Sequence, residues 1–381
     1  MDMQKTDKAI GQGQVAAVAM SGGVDSSVAA CLLAREGYKV IGLTMRLFCY
    51  ADMETTDKSC CNLDAIDDAR SVCSGLGVPH YVIDCEREFS RCVIEPFVQQ
   101  YLAGRTPNPC VDCNRSIKFG SLLDRARSLG ADYLATGHYV RLVEQGKKRD
   151  KLPFMARGVD SRKDQSYFLW SISRPNLGSL LFPLGVYRKD EVRKTAVSMG
   201  LKVSHKQESQ EVCFIVSGSV KSFLREHSET AGSGKLHSNM CPGPLVDSDG
   251  RVLGEHDGSA YFTVGQRRGL KVSLGKPAYV VSIDASTNTV VLGDENELEA
   301  DLVEASAANY LTDPPFEPFR AEVQVRYRQK AVDATVFPEP DNKVRIKLDS
   351  PGSAITPGQS VVFYDGELLV GGAVIDSARK A

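Results

Sequence analysis

The 381-residue sequence has no run of about eighteen apolar residues, and its first fourteen residues, polar and rich in Gly and Gln, lack the apolar stretch of a secretory signal. That pattern excludes a membrane-spanning helix and predicts a cytoplasmic protein with residues 1–14 as a disordered tail. Excess charge is missing as well: 46 Lys and Arg stand against 48 Asp and Glu, for a net charge of −2. Wholesale electrostatic binding to nucleic acid is thereby excluded, and any such contact must use local basic patches. The candidates are Lys147, Lys148, Arg149 and Lys151 running on to Arg157, Arg162 and Lys163; Arg267 with Arg268; and Arg326, Arg328 and Lys330. Repeats of fixed period are absent. No lysine lies between Ser21 and Arg35, so there is no Walker A loop, and GxGxxG is absent there too. Cys110 and Cys113 form a CxxC without a second CxxC or an HxxxH, which argues against a four-ligand zinc site, and its place in the strand pattern is wrong for a thioredoxin-like pair.

What is present is concentrated in VAAVAMSGGVDSS, residues 15–27. Val15 to Met20 reads as a buried parallel strand, and Val24, Val28, Ala29, Leu32 and Leu33 recur at helical spacing after it. Gly22 and Gly23 therefore occupy a strand-to-helix turn. Backbone N–H groups exposed at such a turn, the positive end of the helix and the hydroxyls of Ser21, Ser26 and Ser27 suit a pyrophosphate.

Further strands are expected over Val40–Arg46, Tyr81–Asp84 and Tyr133–Thr136, with helices over Asp64–Leu76 and Ser116–Leu129 that stop at Gly77 and Gly130. This alternation predicts a doubly wound α/β domain with a parallel sheet over residues 15–180, its ligands at the carboxyl ends of the strands. Residues 165–227 read as largely helical, with Tyr187–Met199 the clearest amphipathic stretch, which makes 181–242 a small, mostly helical central region. From residue 243 to 378 short alternating runs separated by Gly, Pro, Asp and Asn predict an all-β barrel. The eleven cysteines are expected to be mostly reduced, with Cys31, Cys73, Cys85 and Cys92 at apolar core positions.

SGGVDSS resembles the PP-loop of the ATP pyrophosphatases, which cleave ATP between its α and β phosphates. Together with GRTPNPCVDCNRSIKF at 104–119, ATGHY at 135–139, KDQSYFL at 163–169 and VCFI around Cys213, the chain resembles the tRNA-specific 2-thiouridylases along almost its whole length. The resemblance implies an adenine-nucleotide α-hydrolase-like fold and ATP-dependent replacement of the C2 oxygen of the wobble uridine by sulfur. ATP is then held by Ala19, Met20, Ser21, Gly22, Gly23, Val24, Asp25 and Ser26, with Met45 at the adenine, Gly137 close to the nucleotide, and Asp25 near the phosphates and their Mg²⁺. Cys213 carries the sulfur as a persulfide, and Cys113 is its partner thiol, activated by a nearby helix start, Arg115 and Lys118. Asn108, Pro109 and Cys110 face the flipped-out base; His138, Lys163, Asp164 and Gln165 touch tRNA beside the site; Arg326, Tyr327 and Gln359 meet the anticodon stem-loop.

The resemblance further implies a sulfur-donor protein, a cysteine desulfurase or a sulfur relay. Many members of the family carry aspartate at the position of Cys110. The cysteine here opens a second route, in which Cys110, Cys113 and Cys213 hold a [4Fe-4S] cluster with one open iron. From another class, a tRNA- or iron–sulfur-binding protein with a vestigial ATP site is opposed by the intact Ser21, Gly22, Gly23, Asp25 and Ser26.

Overall fold

The computed structural model describes residues 11–47, 63–144, 152–206, 212–215, 218–230, 237–272 and 275–381; residues 1–10 of the expected tail and the basic run 147–151 lie outside the described residues. Residues 11–14 are not tail but a turn, with Gly11 N donating to Glu36 O. The chain divides into two units, one of residues 1–90 with 113–216 and one of residues 91–112 with 217–381.

The first unit is built on a parallel sheet. Strand β1 (Val15–Ala19) is followed by helix α1 (Val24–Arg35), β2 (Lys39–Arg46), α2 (Leu63–Gly75), β3 (His80–Asp84) and the short α3 (Glu86–Phe89). After α4 (Glu95–Leu102) and α5 (Pro109–Asp112), which belong to the second unit, come a wide-turn helical stretch over Cys113–Ser121 and α6 (Leu122–Ser128). Then follow β4 (Tyr133–Ala135), the hairpin β5 (Val140–Val143) with β6 (Phe154–Arg157), β7 (Leu180–Leu181) and α7 (Lys189–Ser198). The sheet order is β3-β2-β1-β4-β7, parallel throughout. Small side chains let helices close on both faces of β1, where Ala16, Ala17 and Val18 are fully buried. Val28, Ala29 and Leu33 of α1 join Val72 of α2 and Val192 and Ala196 of α7 in one core. Each such Val or Leu contributes roughly 1.5–3 kcal/mol by leaving water.

The helical reading of 165–227 is corrected here. Among the described residues of that span only α7 and α8 (Val220–Thr230) are α-helices; tight turns at 166–168 and 174–179 and β7 precede α7, and another at 202–205 follows it. Pro175, Gly178, Pro183 and Gly185 interrupt the pattern, and Gly185 lies so close to the carbonyl of Val140 that no Cβ fits there.

In the second unit β8 (Gly243–Asp247), β9 (Val252–His256), β10 (Tyr279–Asp284) and β11 (Thr289–Gly293) form a sheet of order β10-β11-β8-β9. Six longer strands follow: β12 (Glu299–Tyr310), β13 (Phe319–Gln324), β14 (Val332–Glu339), β15 (Lys343–Ser353), β16 (Ser360–Asp365) and β17 (Leu368–Arg379). They pair antiparallel in the order β12-β15-β14-β13-β16-β17, and β12 pairs with β17 to close a barrel. Alternate residues fill it, among them Val344, Ile346 and Leu348, then Val361 and Phe363, then Ala373 and Ile375. The expected β-barrel is therefore present, beside a separate four-stranded sheet.

Three histidines are held neutral by burial. His80 meets the Thr44 hydroxyl at 2.8 Å, His138 meets the Thr136 hydroxyl at 2.7 Å, and His256 Nδ1 accepts from Gly258 N while its Nε2 faces Asn288 O. Burial lowers all three from the ordinary 6.5, most strongly at His138, where the charge of Lys118 acts in the same direction. Below about pH 6.5 the unfolded chain binds protons that the folded chain refuses, so this stabilisation is complete above that value and declines as the pH falls toward the folded values. Melting temperature is expected to drop by several degrees between pH 7.5 and pH 5.5; a flat profile there contradicts the assignment.

Candidate active site

The order of the parallel sheet reverses between β1 and β4, which is where open α/β sheets bind ligands. The turn after β1 begins at Met20, whose N–H donates to Leu43 O at 2.7 Å. Ser21 N donates to Ser26 Oγ at 3.1 Å, and the hydroxyls of Ser26 and Ser27 donate back to Gly23 O at 3.3 and 2.8 Å. These bonds shape the loop and leave the helix start open, since no side chain caps α1 at Gly23. First-turn N–H groups without a capping oxygen, at the positive end of a twelve-residue helix, fit an anionic ligand such as a polyphosphate. Gly22 has φ +67, and the place of its missing Cβ lies 2.6 Å from Ala65 Cα at the start of α2. From β4, Gly137 meets the same turn: a Cβ there lies 2.8 Å from Ser26 N and 2.9 Å from Asp25 C. Met45 stands half-buried near the end of β2, beside Ile83 of β3.

Positive charge comes from outside the loop, which the sequence reading missed. Lys189, buried at the start of α7, donates to both carboxylate oxygens of Asp25 at 2.7 and 2.8 Å. Tyr139 OH donates to Asp25 Oδ1 at 2.8 Å. The backbone N–H of Lys189 is in turn fixed by Asp160 Oδ2 at 3.0 Å, so the end of α7 is tied down where its lysine is needed. Lys206 donates to Gly22 O at 3.3 Å and to Asp68 Oδ2 at 2.8 Å. A lysine-free loop thus receives two ammonium groups from segments more than 160 residues away. The available signal was negative: a phosphate turn without its own lysine needs a cation from somewhere.

Cys113 is buried and Cys213 is partly exposed, and both are thiols. Their segments share a neighbour in α3: the helical stretch beginning at Cys113 packs against it, and Phe214 meets its Phe89 edge-on at 5.8 Å. The helical run starts at Pro109, four residues before Cys113 rather than beside it. Cys73 and Cys85 are core thiols whose pKa burial raises to about 11, and Cys31 is raised for the same reason, which makes all three poor nucleophiles. Among the described residues no three or more of His, Cys, Asp and Glu are gathered as metal ligands.

Asp164 and Gln165 face inward. Asp164 accepts from Gly158 N, Ser166 N, the Ser166 hydroxyl and Arg157, while Gln165 Oε1 accepts from Tyr139 N at 3.0 Å. Between them they hold the chain around Tyr139 and hence around Asp25. Lys163 is half-buried, and the ring of His138 lies 5.8 Å from Phe119 and 6.3 Å from Phe182.

In the second unit Cys110 is exposed, Asn108 half-buried and Pro109 buried. Arg326 and Tyr327 lie in the turn after β13. Gln324 Nε2 donates to Arg326 O and Arg328 takes φ +65, which ends the strand and leaves Arg326 exposed. Arg267 and Arg268 are exposed as well. Gln359 donates to Thr106 O at 2.7 Å and to Pro107 O at 3.2 Å.

A tRNA methyl transferase HUP domain model matches residues 14–217, a PRC-barrel domain model of the same name matches 234–294, and an aminomethyltransferase β-barrel domain model matches 300–375. The chain is 46% identical to the tRNA-specific 2-thiouridylase MnmA of Acetivibrio thermocellus, over 94% of this chain and 98% of that one. It is 45% identical to the protein of the same name from Moorella thermoacetica, over 95% and 99%. At that identity over nearly full length on both sides, the chain belongs to the tRNA-specific 2-thiouridylase family.

Proposed function

We propose that this protein is a cytoplasmic tRNA-uridine 2-sulfurtransferase that uses ATP to convert the wobble uridine, at position 34 of tRNA, to 2-thiouridine. The observation that carries the reading is the uncapped start of α1 at SGGVDSS, with the Asp25 carboxylate held by Lys189 and Tyr139 and the loop carbonyl of Gly22 held by Lys206. The open N–H groups bind the phosphates of ATP and orient the α phosphorus toward the uridine C2 oxygen. That oxygen attacks, pyrophosphate leaves toward the lysines, and C2 now bears AMP, a far better leaving group than hydroxide. The Asp25 carboxylate, set at the phosphate turn, would hold Mg²⁺, which would supply neutralisation of phosphate charge.

Sulfur follows by thiol chemistry. Cys213, partly exposed, receives a terminal sulfur from a donor protein, a cysteine desulfurase or a relay. The terminal sulfur attacks C2 and AMP departs. The Cys113 thiolate then attacks Cys213 Sγ, the S–S bond breaks with its electron pair staying on the sulfur at C2, and a Cys113–Cys213 disulfide remains for an external thiol to reduce. Both cysteines are thiols in the structure, which is the state the cycle needs at its start. The base is faced by Asn108, Pro109 and Cys110, and tRNA by His138, Lys163, Arg326 and Tyr327. Gln165 acts from behind by fixing Tyr139, and Asp164 by fixing Gly158 and Ser166.

The test is pyrophosphate release from ATP and Mg²⁺ with and without unmodified tRNA, followed by nucleoside mass spectrometry after adding a cysteine desulfurase and cysteine. Release that depends on tRNA, and 2-thiouridine that depends on the desulfurase, are expected. Absence of pyrophosphate under reducing conditions with all components present sinks the reading.

A further inference from the structure

Residues 102–107, which lead into the Asn108–Cys110 segment, are tied to later segments of the same unit. Leu102 O accepts from the buried Asn239 side chain at 2.7 Å. Gly104 leaves only 3.0 Å between the place of a Cβ and Ile283 Cγ2. Arg105 donates to Ile375 O and to Asp376 Oδ1, each at 3.0 Å. The Thr106 hydroxyl donates to the Thr263 hydroxyl at 3.0 Å, and Thr106 N donates to Pro357 O at 2.9 Å. Gln359 completes the clasp with its two amide bonds to the carbonyls of Thr106 and Pro107. Gly358, at φ +90, admits this approach, because a Cβ there would lie 2.9 Å from Thr106 N.

We infer that Gln359 is a positioning residue of the thiolation reaction, which fixes the Thr106–Pro107 turn and through it the Asn108–Cys110 segment that faces the base. The inference rests on the function proposed above. Both amide hydrogens of Gln359 are directed at main-chain carbonyls of the turn, so its donor groups are used within the protein. Pro107 and Pro109 have no N–H with which to tie this stretch, which makes the outside bonds to Thr106 and to the two carbonyls the means of holding it. A segment that must present a flipped base to within a fraction of an ångström depends on such supports.

The experiment compares the wild type with Gln359→Leu, which keeps the volume and removes both donors, and with Thr263→Val, which removes only the hydroxyl partner of Thr106. For Gln359→Leu a roughly thirtyfold fall in kcat for 2-thiouridine formation is expected, with tRNA Kd within about twofold of the wild type. Thr263→Val gives a smaller fall in the same direction, about threefold. Hydrogen exchange at the Thr106 amide, read without ATP or tRNA, quickens in Gln359→Leu. A tenfold rise in tRNA Kd at unchanged kcat makes Gln359 a tRNA contact and overturns the inference, as does unchanged kcat in both variants. Should the wild type itself make no 2-thiouridine, the proposed function falls, while amide exchange still reports whether Gln359 holds the turn.

Discussion

Cys113→Ser and Cys213→Ser are each expected to lower 2-thiouridine formation by at least about a thousandfold, while tRNA-dependent pyrophosphate release stays within about threefold of the wild type. The two thiols enter only after the base is adenylated, so their loss separates activation from sulfur transfer. A serine oxygen can neither carry a terminal sulfur nor displace one, and because it matches the thiol in shape the fold has little cause to change. Cys113 is buried and Cys213 is partly exposed, which suits a receiving thiol for Cys213 and a resolving thiol for Cys113. Accumulation of adenylated tRNA in both variants is the corresponding positive signal. If either variant makes 2-thiouridine at the normal rate, the sulfur roles are wrong. Cys110→Asp serves as the companion: Cys110 is exposed, and retained activity after its replacement fits the persulfide route, whereas loss of activity fits the cluster route.

The parts of this protein that the sequence revealed are those specified by local pattern. β1 to β4 and the helices between them follow from the run of small apolar residues at 15–20 and from the 3.6-residue spacing after it, and the barrel follows from strict alternation in segments such as KVRIKLD. What stayed hidden depends on distant chain meeting distant chain. Lys189 opens an ordinary amphipathic helix in sequence, and only the fold turns its ammonium onto Asp25. Asp164 and Gln165 stand in a polar, motif-like string that looks made for a ligand, yet their oxygens are bonded to Gly158, Ser166 and Tyr139. The tight turn at 174–179 carries helix-like composition nearby, but Pro175 and Gly178 within it and Pro183 after it keep it from propagating.

The adjacent glycines of the loop look alike in sequence, and substitution is expected to separate them sharply. Gly22→Ala forces a side chain onto a backbone at φ +67, which costs about 1–2 kcal/mol, and drives the new methyl into the main chain of Ala65 at the start of α2. The nearest atoms are backbone rather than the end of a flexible side chain, so relief requires α2 or the loop to move, at a further cost of roughly 1–3 kcal/mol. A total of about 2–5 kcal/mol is a large share of the stability of an ordinary domain. Loss of the nucleotide site follows, because Ser21 and Ser26 on either side of Gly22 are bonded to each other. Gly23, by contrast, has φ −100 and ψ 168, which any residue adopts, and a Cβ there meets only the Ser21 hydroxyl at 3.3 Å. Gly23→Ala is therefore expected to melt within about 0.5 kcal/mol of the wild type. Its methyl group sits at the open helix start, where it weakens ATP binding by about tenfold by holding the phosphates off the N–H groups. Thermal melts and calorimetric titration with a non-cleavable ATP analogue read the two effects separately. A Gly22→Ala protein that melts like the wild type and binds the analogue normally contradicts the close seating of the loop on α2, and with it the claim that distant α2 sets the shape of the phosphate turn.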